Sequence, residues 1–182
     1  MEKEDIEGFD KNRKDREIMI FVTVGTHEQQ FNRLVEYMDK YAELHPDEEV
    51  VIQTGFSTYQ PNKASWSKLY PYKTMIEMVD KARIVITHGG PSSFIMPLQI
   101  GKIPIVVPRN HEFNEHVNNH QIDFCRKVEE RQGNIIVVEE CEKLGETLEN
   151  YESIVEKMQN GLESNNEKFC KEFGKIIDGL LL

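Results

Sequence analysis

Residues 84–107 read IVITHGGPSSFIMPLQIGKIPIVV. An apolar run, Ile84 to Thr87, ends in a polar glycine loop, a short helical stretch follows, and a second apolar run spans Ile103 to Val107. Strands that are apolar on both faces belong to parallel sheets covered by helices on either side. Outward from this unit the pattern repeats. Ile18 to Val24 and Val50 to Gln53 precede it as strands, and Ile135 to Val138 follows it. Between them Phe31, Leu34, Val35, Met38 and Ala42 share one helical face, which Pro46 and Asp47 terminate. Met75, Ile76, Val79 and Ala82 mark a short helix before Ile84, and Val117, Gln121, Phe124, Cys125 and Val128 mark another after the fifth strand. Residues 56–70 are a less regular connection with a short strand expected at Lys68 to Tyr70. The fold class is therefore α/β, a Rossmann-like parallel sheet with helices on both faces.

The chain of 182 residues has the length of one domain. Residues 1–17 are mostly charged and are expected to lie outside the fold as a leader, with the domain running over 18–182. Two terminal helices are expected, the second bearing an apolar stripe of Phe169, Phe173, Ile176, Ile177, Leu180 and Leu181. That stripe suits either the domain's own sheet or a partner subunit. With 32 acidic against 22 basic side chains the net charge is -10, which repels a phosphate backbone, so no nucleic-acid partner is expected. Cys125, Cys141 and Cys170 are widely spaced and read as buried or idle thiols of a reducing compartment. No apolar run approaches the ~20 residues that span a bilayer, and no signal pattern opens the chain. A cytoplasmic protein is expected.

In an open parallel sheet, ligands bind where the carboxyl ends of the strands meet loops and helix N-termini. Three loops reach that edge here: Gly25-Thr26-His27, the loop His88-Gly89-Gly90-Pro91-Ser92-Ser93, and the segment from Arg109 to Gln121. Two glycines allow close backbone approach, and Ser92 or Ser93 can cap the following helix, an arrangement that holds phosphate without a lysine. A ligand-free strand-to-helix turn has the same composition.

The succession of ITHGGPSS, GKIPIVVP and a polar loop ending in NNHQ, with VTVGTHEQQF at the first strand, resembles the C-terminal domain of family 28 glycosyltransferases. Within it, the chain looks like the small bacterial capsular or exopolysaccharide enzymes related to the catalytic subunit of the dolichol-linked N-acetylglucosaminyltransferase. The similarity runs from about Met19 to Val138. The resemblance implies one lobe of a GT-B enzyme: a UDP-sugar donor on this domain, a lipid-linked saccharide acceptor on a second lobe, and no cofactor or metal. It implies a membrane-associated partner subunit that supplies that lobe and recruits the chain to the inner face of the membrane. Inverting transfer of galactose or N-acetylglucosamine is the expected activity, and a noncatalytic sugar-nucleotide-binding regulatory subunit is the alternative.

Carried onto this sequence, the resemblance places Gly25 and Thr26 beside the diphosphate and makes His88, Gly89, Gly90, Ser92 and Ser93 the phosphate cradle. Tyr72 falls near the uracil, while Glu115, His120 and Gln121 face the donor sugar and ribose. The sequence departs from the pattern at Phe94-Ile95-Met96-Pro97, where related enzymes carry a ribose-binding glutamate. His27 is the catalytic candidate, because it follows a glycine turn at the end of the first strand and an imidazole can give or take a proton; a diphosphate contact is its other reading. His116 and His120 have the spacing of two imidazoles on one helix face, which makes zinc conceivable, but HVNNH lacks the glutamate of HExxH. Arg109 suits a phosphate or a surface salt bridge.

Overall fold

The computed structural model describes residues 19–159. Both the leader expected over 1–17 and the stripe from Phe169 to Leu181 lie outside these residues. Six strands form one sheet: β1 (Met19–Thr23), β2 (Glu49–Gln53), β3 (Ser65–Ser67), β4 (Ile84–His88), β5 (Ile105–Val107) and β6 (Ile136–Val137). Their spatial order is β3-β2-β1-β4-β5-β6 and each pairing is parallel. The helices are α1 (Asn32–Leu44), α2 (Tyr72–Lys81), α3 (Pro91–Gln99), α4 (His120–Gln132), α5 (Leu144–Glu149) and α6 (Tyr151–Gln159). After β1 the chain winds outward through β2 and β3, then returns to place β4 on the other side of β1. The C-terminal ends of β1 and β4 therefore diverge at a switch point, where a crevice forms.

Strand alternation sorts the core into two faces. Ile20, Val22, Ile52, Ile84, Ile86, Ile105 and Val107 pack with Leu34, Val35 and Met38 of α1 and with Leu144, Leu148 and Tyr151 of α5 and α6. On the opposite face Met19, Phe21, Val51 and Val85 meet Val79 of α2, and Val106 meets Phe94 of α3 and Cys125 of α4. Every residue of β1 and β4 is buried, which is why both read as unbroken apolar runs.

Several boundaries differ from the sequence reading. The edge strand lies at Ser65–Ser67 instead of Lys68–Tyr70, paired to Val51, Ile52 and Gln53. Its register is set by backbone bonding along an exposed edge, which leaves no apolar signature in the sequence. Downstream of it, the Gln53 side chain takes over and accepts the Tyr70 N–H at 3.0 Å. β5 starts at Ile105 because Pro104 has no N–H to give the ladder, although its carbonyl still accepts from Ile136. α4 starts only at His120, since Asn114 turns the chain through a left-handed conformation at φ 55°. Val117 is consequently exposed and outside the helix, and His116 and His120 do not share a helical face.

Candidate active site

The centre of the crevice is one imidazole held between two glycines. Gly25 lies at φ 75°, and a Cβ added to it would come within 2.3 Å of His88 Nε2. A Cβ on Gly90 would come within 2.2 Å of His88 Cε1. Any side chain at either position would displace the ring, so both glycines are demanded by close approach, and Gly25 by its left-handed backbone as well. His88 ends β4 and is 8% exposed. Its Nδ1 accepts the Gly90 N–H at 3.0 Å, while its Nε2 lies 2.9 Å from Ser93 Oγ.

These contacts decide the tautomer. A backbone N–H can only donate, so Nδ1 is bare and the ring proton sits on Nε2, which donates to Ser93 Oγ. The hydroxyl hydrogen of Ser93 is then available to another acceptor. Burial, followed by the Arg109 charge, pushes the His88 pKa down to about 4, against the Gln121 side chain, which raises it. The ring is therefore neutral near pH 7. Neither serine caps α3 as expected: the N-cap is Gly90 with no side-chain bond, and Pro91 opens the helix.

A cleft of about 840 Å³ opens over this group. Tyr72 and Met75 of α2, Met96 of α3 and Tyr70 give it an apolar lining; Gly25, Thr26, His88, Ser92 and Ser93 line it from the ends of β1 and β4 and the start of α3; His27 borders it as well. Tyr72 is 72% exposed at the start of α2, free to meet a ligand ring. A second cavity, about 680 Å³, is lined by Glu43, Asp47, Glu48 and Glu49, whose charges repel a diphosphate. The first cleft is the better anion site.

The loop after β5 is arranged differently from the expectation. Glu115 does not reach the cleft: it is fully buried, and its carboxylate accepts from Arg33 Nε and Nη2 at 3.0 Å each and from the Asn110 N–H at 2.9 Å. Its oxygens are occupied within the fold, which removes it as a sugar or ribose ligand. Arg109, equally buried, is neither a phosphate ligand nor a surface ion pair. Its guanidinium donates to the carbonyls of Val24, Gln29, Gln30 and Glu115 at 2.8 to 3.1 Å, strapping the loop after β1 to the loop after β5. Burial lowers its pKa to about 10, still charged at neutral pH.

Gln121 packs under the glycine loop, where its Oε1 accepts the Arg109 N–H at 3.1 Å and stands 3.0 Å from where a Gly89 Cβ would be. Cys125 Sγ crowds the same point at 2.9 Å. His120 is exposed at the first position of α4. His27 is exposed, and its ring lies 5.0 Å from His116, which in turn lies 4.4 Å from His120. Among the described residues, no group of three His, Cys, Asp or Glu side chains is disposed to hold a metal ion. Nor is any described helix long and apolar enough to cross a membrane.

Three features of the site escaped the sequence reading. Gln53 borders the cleft and ties β1 to β2 through Thr23 Oγ1 at 3.1 Å; its signal was a polar last residue on an apolar strand at the ligand edge. An apolar wall joins Met75, which at helical spacing reads only as core, to Met96, which was noted only as standing where related enzymes carry an acid. The Arg33 to Glu115 pair, 82 residues apart, had no local signal.

Residues 19–180 match the glycosyltransferase family 28 C-terminal domain. The human UDP-N-acetylglucosamine transferase subunit ALG13 is 31% identical over 119 residues, covering 60% of this chain. The chain spans only 10% of that relative's length. Among solved structures, the glycosyltransferase of kitacinnamycin superposes with a TM-score of 0.60 at 17% identity, over 88% of this chain and 42% of that one. CalG4, the calicheamicin glycosyltransferase, superposes with a TM-score of 0.54 at 16% identity, over 90% of this chain and 44% of that one. At such identities the two structures show a shared fold: a Rossmann-like lobe of GT-B type. With a match that runs through nearly all of its length, the chain belongs to the glycosyltransferase family 28 C-terminal domain family.

Proposed function

We propose that this chain is the donor-binding subunit of a glycosyltransferase, which moves a hexosyl group from a UDP-sugar to a lipid-linked saccharide in bacterial capsular or exopolysaccharide synthesis. The observation that carries the reading is the His88 group: two glycines closed on a neutral imidazole, with the Ser93 hydroxyl at the start of α3, inside a cleft at the sheet's switch point. There the α3 N-terminus and the Ser93 O–H stabilise the negative charge of a diphosphate. Gly25, Thr26, Gly89 and Ser92 complete the cradle. Tyr72 with Met75 and Met96 offers an apolar wall to the uracil.

In an inverting transfer the acceptor oxygen bonds to the anomeric carbon as the bond to the UDP oxygen breaks, and the acceptor proton passes to a base. In this reading His27 is the base, supported by its exposure at the border of the cleft, whereas Glu115 is buried away from it. Charge stabilisation of the departing UDP is the larger contribution from this lobe. A membrane-associated partner supplies the acceptor lobe and holds the chain at the inner face of the membrane. The shared subunit character of the human relative supports this arrangement.

Calorimetry with UDP tests the nucleotide site. The wild-type chain should bind UDP, and Gly90→Leu, which drives a side chain into His88, should abolish binding while circular dichroism shows the fold intact. Equal UDP affinity in the two proteins would remove the glycine loop from the site.

A further inference from the structure

The sheet order gives the cleft a direction. Tyr72 and Met75 belong to α2, which packs over β1 and β2, while His120 opens α4, which packs on β5. The apolar lining by α2 suits a nucleobase, and Gly25, His88 and Ser93 at the ends of β1 and β4 suit a diphosphate. A nucleotide sugar is linear, so the sugar lies beyond the diphosphate toward the loop after β5. His27 lines the cleft, and its ring meets His116 of that loop, which meets His120, with ring centroids 5.0 Å and 4.4 Å apart; His116 and His120 extend the site past the cleft's own lining.

The three rings arrive from separate places: His27 from the loop after β1, His116 from the loop after β5, and His120 from the first position of α4. His116 is 8% exposed, and its Nδ1 is buried without a hydrogen-bond partner among the described residues. The charged groups that act on it are His120, His27 and Arg109, all of one sign, and with burial they lower its pKa. His88 stands behind His27 and is itself affected by both His27 and His116. The nearby acids do not compensate. Glu115 gives both oxygens to Arg33, Asp123 in the first turn of α4 interacts with Arg126, and Glu28 and Glu112 are exposed to solvent.

A sugar bearing only hydroxyls is suited by a mixture of donors and acceptors, above all carboxylates and amides. Three imidazoles beside the positive end of α4 can each turn an N–H toward one anionic group, and the His116 Nδ1, buried without a partner among the described residues, is left for a ligand. We propose that this trio binds a carboxylate on the transferred sugar, so that the donor is a UDP-hexuronic acid in place of a UDP-linked galactose or N-acetylglucosamine. This rests on the reading of the cleft as a UDP-sugar site. The carboxylate accepts one N–H from each neutral ring, which leaves the second nitrogen of His27 bare to take the acceptor proton.

The test is calorimetry on the full chain with UDP, UDP-glucose and UDP-glucuronate at about pH 7. UDP-glucuronate should bind about tenfold more tightly than UDP-glucose. Because both donors share the same diphosphate, its contribution cancels in the ratio. His120→Gln, at an exposed position, should reduce the ratio severalfold, and His116→Phe should do the same if circular dichroism shows it folded. Equal affinities for the two donors, or a ratio that neither substitution changes, would overturn the proposal while leaving the UDP site standing. Failure of UDP itself to bind would sink the underlying nucleotide reading as well.

Discussion

His88 shows how one side chain can shape a site without carrying charge. Sequence motif logic makes it a phosphate ligand, but its bonds to the Gly90 N–H and Ser93 Oγ make it the support that aims a hydroxyl. Ser93→Ala should weaken UDP binding by about tenfold, the effect of losing one hydrogen bond to a charged group. The low pKa also has a consequence for stability. A histidine of folded pKa about 4 and unfolded pKa near 6.5 is neutral in the native state while the unfolded chain takes up its proton, so its contribution is complete above pH 6.5 and is lost as pH falls toward 4. Urea unfolding of wild type should therefore lose more stability between pH 7 and 4 than His88→Asn does, by on the order of 2–4 kcal/mol. Identical acid limbs in the two proteins would refute the burial argument.

Between elements, two buried carboxylates do the fastening. Asp39 on α1 accepts the N–H groups of Asn62, Lys63 and Ala64 and the Tyr59 hydroxyl, pinning the connection between β2 and β3. These bonds hold its pKa below the ordinary carboxylate value even though burial opposes them. Glu115 performs the corresponding task for the loop after β5, through Arg33 on α1. Removing one partner of a buried pair leaves the other charged and unpaired, so Arg33→Ala should lower stability by about 3–5 kcal/mol, measured by chemical unfolding. Arg33→Met combined with Glu115→Leu should recover much of that loss. A double variant no more stable than Arg33→Ala would show that the pair has little to do with the cost. Glu115→Ala should accordingly show itself first as a lowered unfolding midpoint, and effects on donor use should follow from the displaced loop.

At the scale of the whole molecule, the described fold is one lobe, and solved relatives of the same fold are more than twice as long as the part it covers. The purified chain should bind UDP yet transfer sugar to a lipid-linked acceptor only when a membrane-associated partner is added, as followed by radiolabelled product. Full turnover by the chain alone would refute the subunit reading. The succession of apolar runs and helical stripes was enough to determine the parallel sheet, the order of its elements and the edge at which the glycine loops meet, because a strand covered on both faces must be apolar throughout. The glycine loop was legible too, since close backbone approach restricts residue type locally. Tertiary structure alone decided which polar side chains border the cleft and which are tied up inside the fold. Glu115, Arg109 and His116 look alike in the sequence as polar loop residues, and what distinguishes them is contact across the fold: Arg33 claims the first, four backbone carbonyls claim the second, and the third is left beside two other imidazoles. Most of these pairings join residues tens of positions apart through the geometry of the folded sheet, and no local pattern of residue types encodes them.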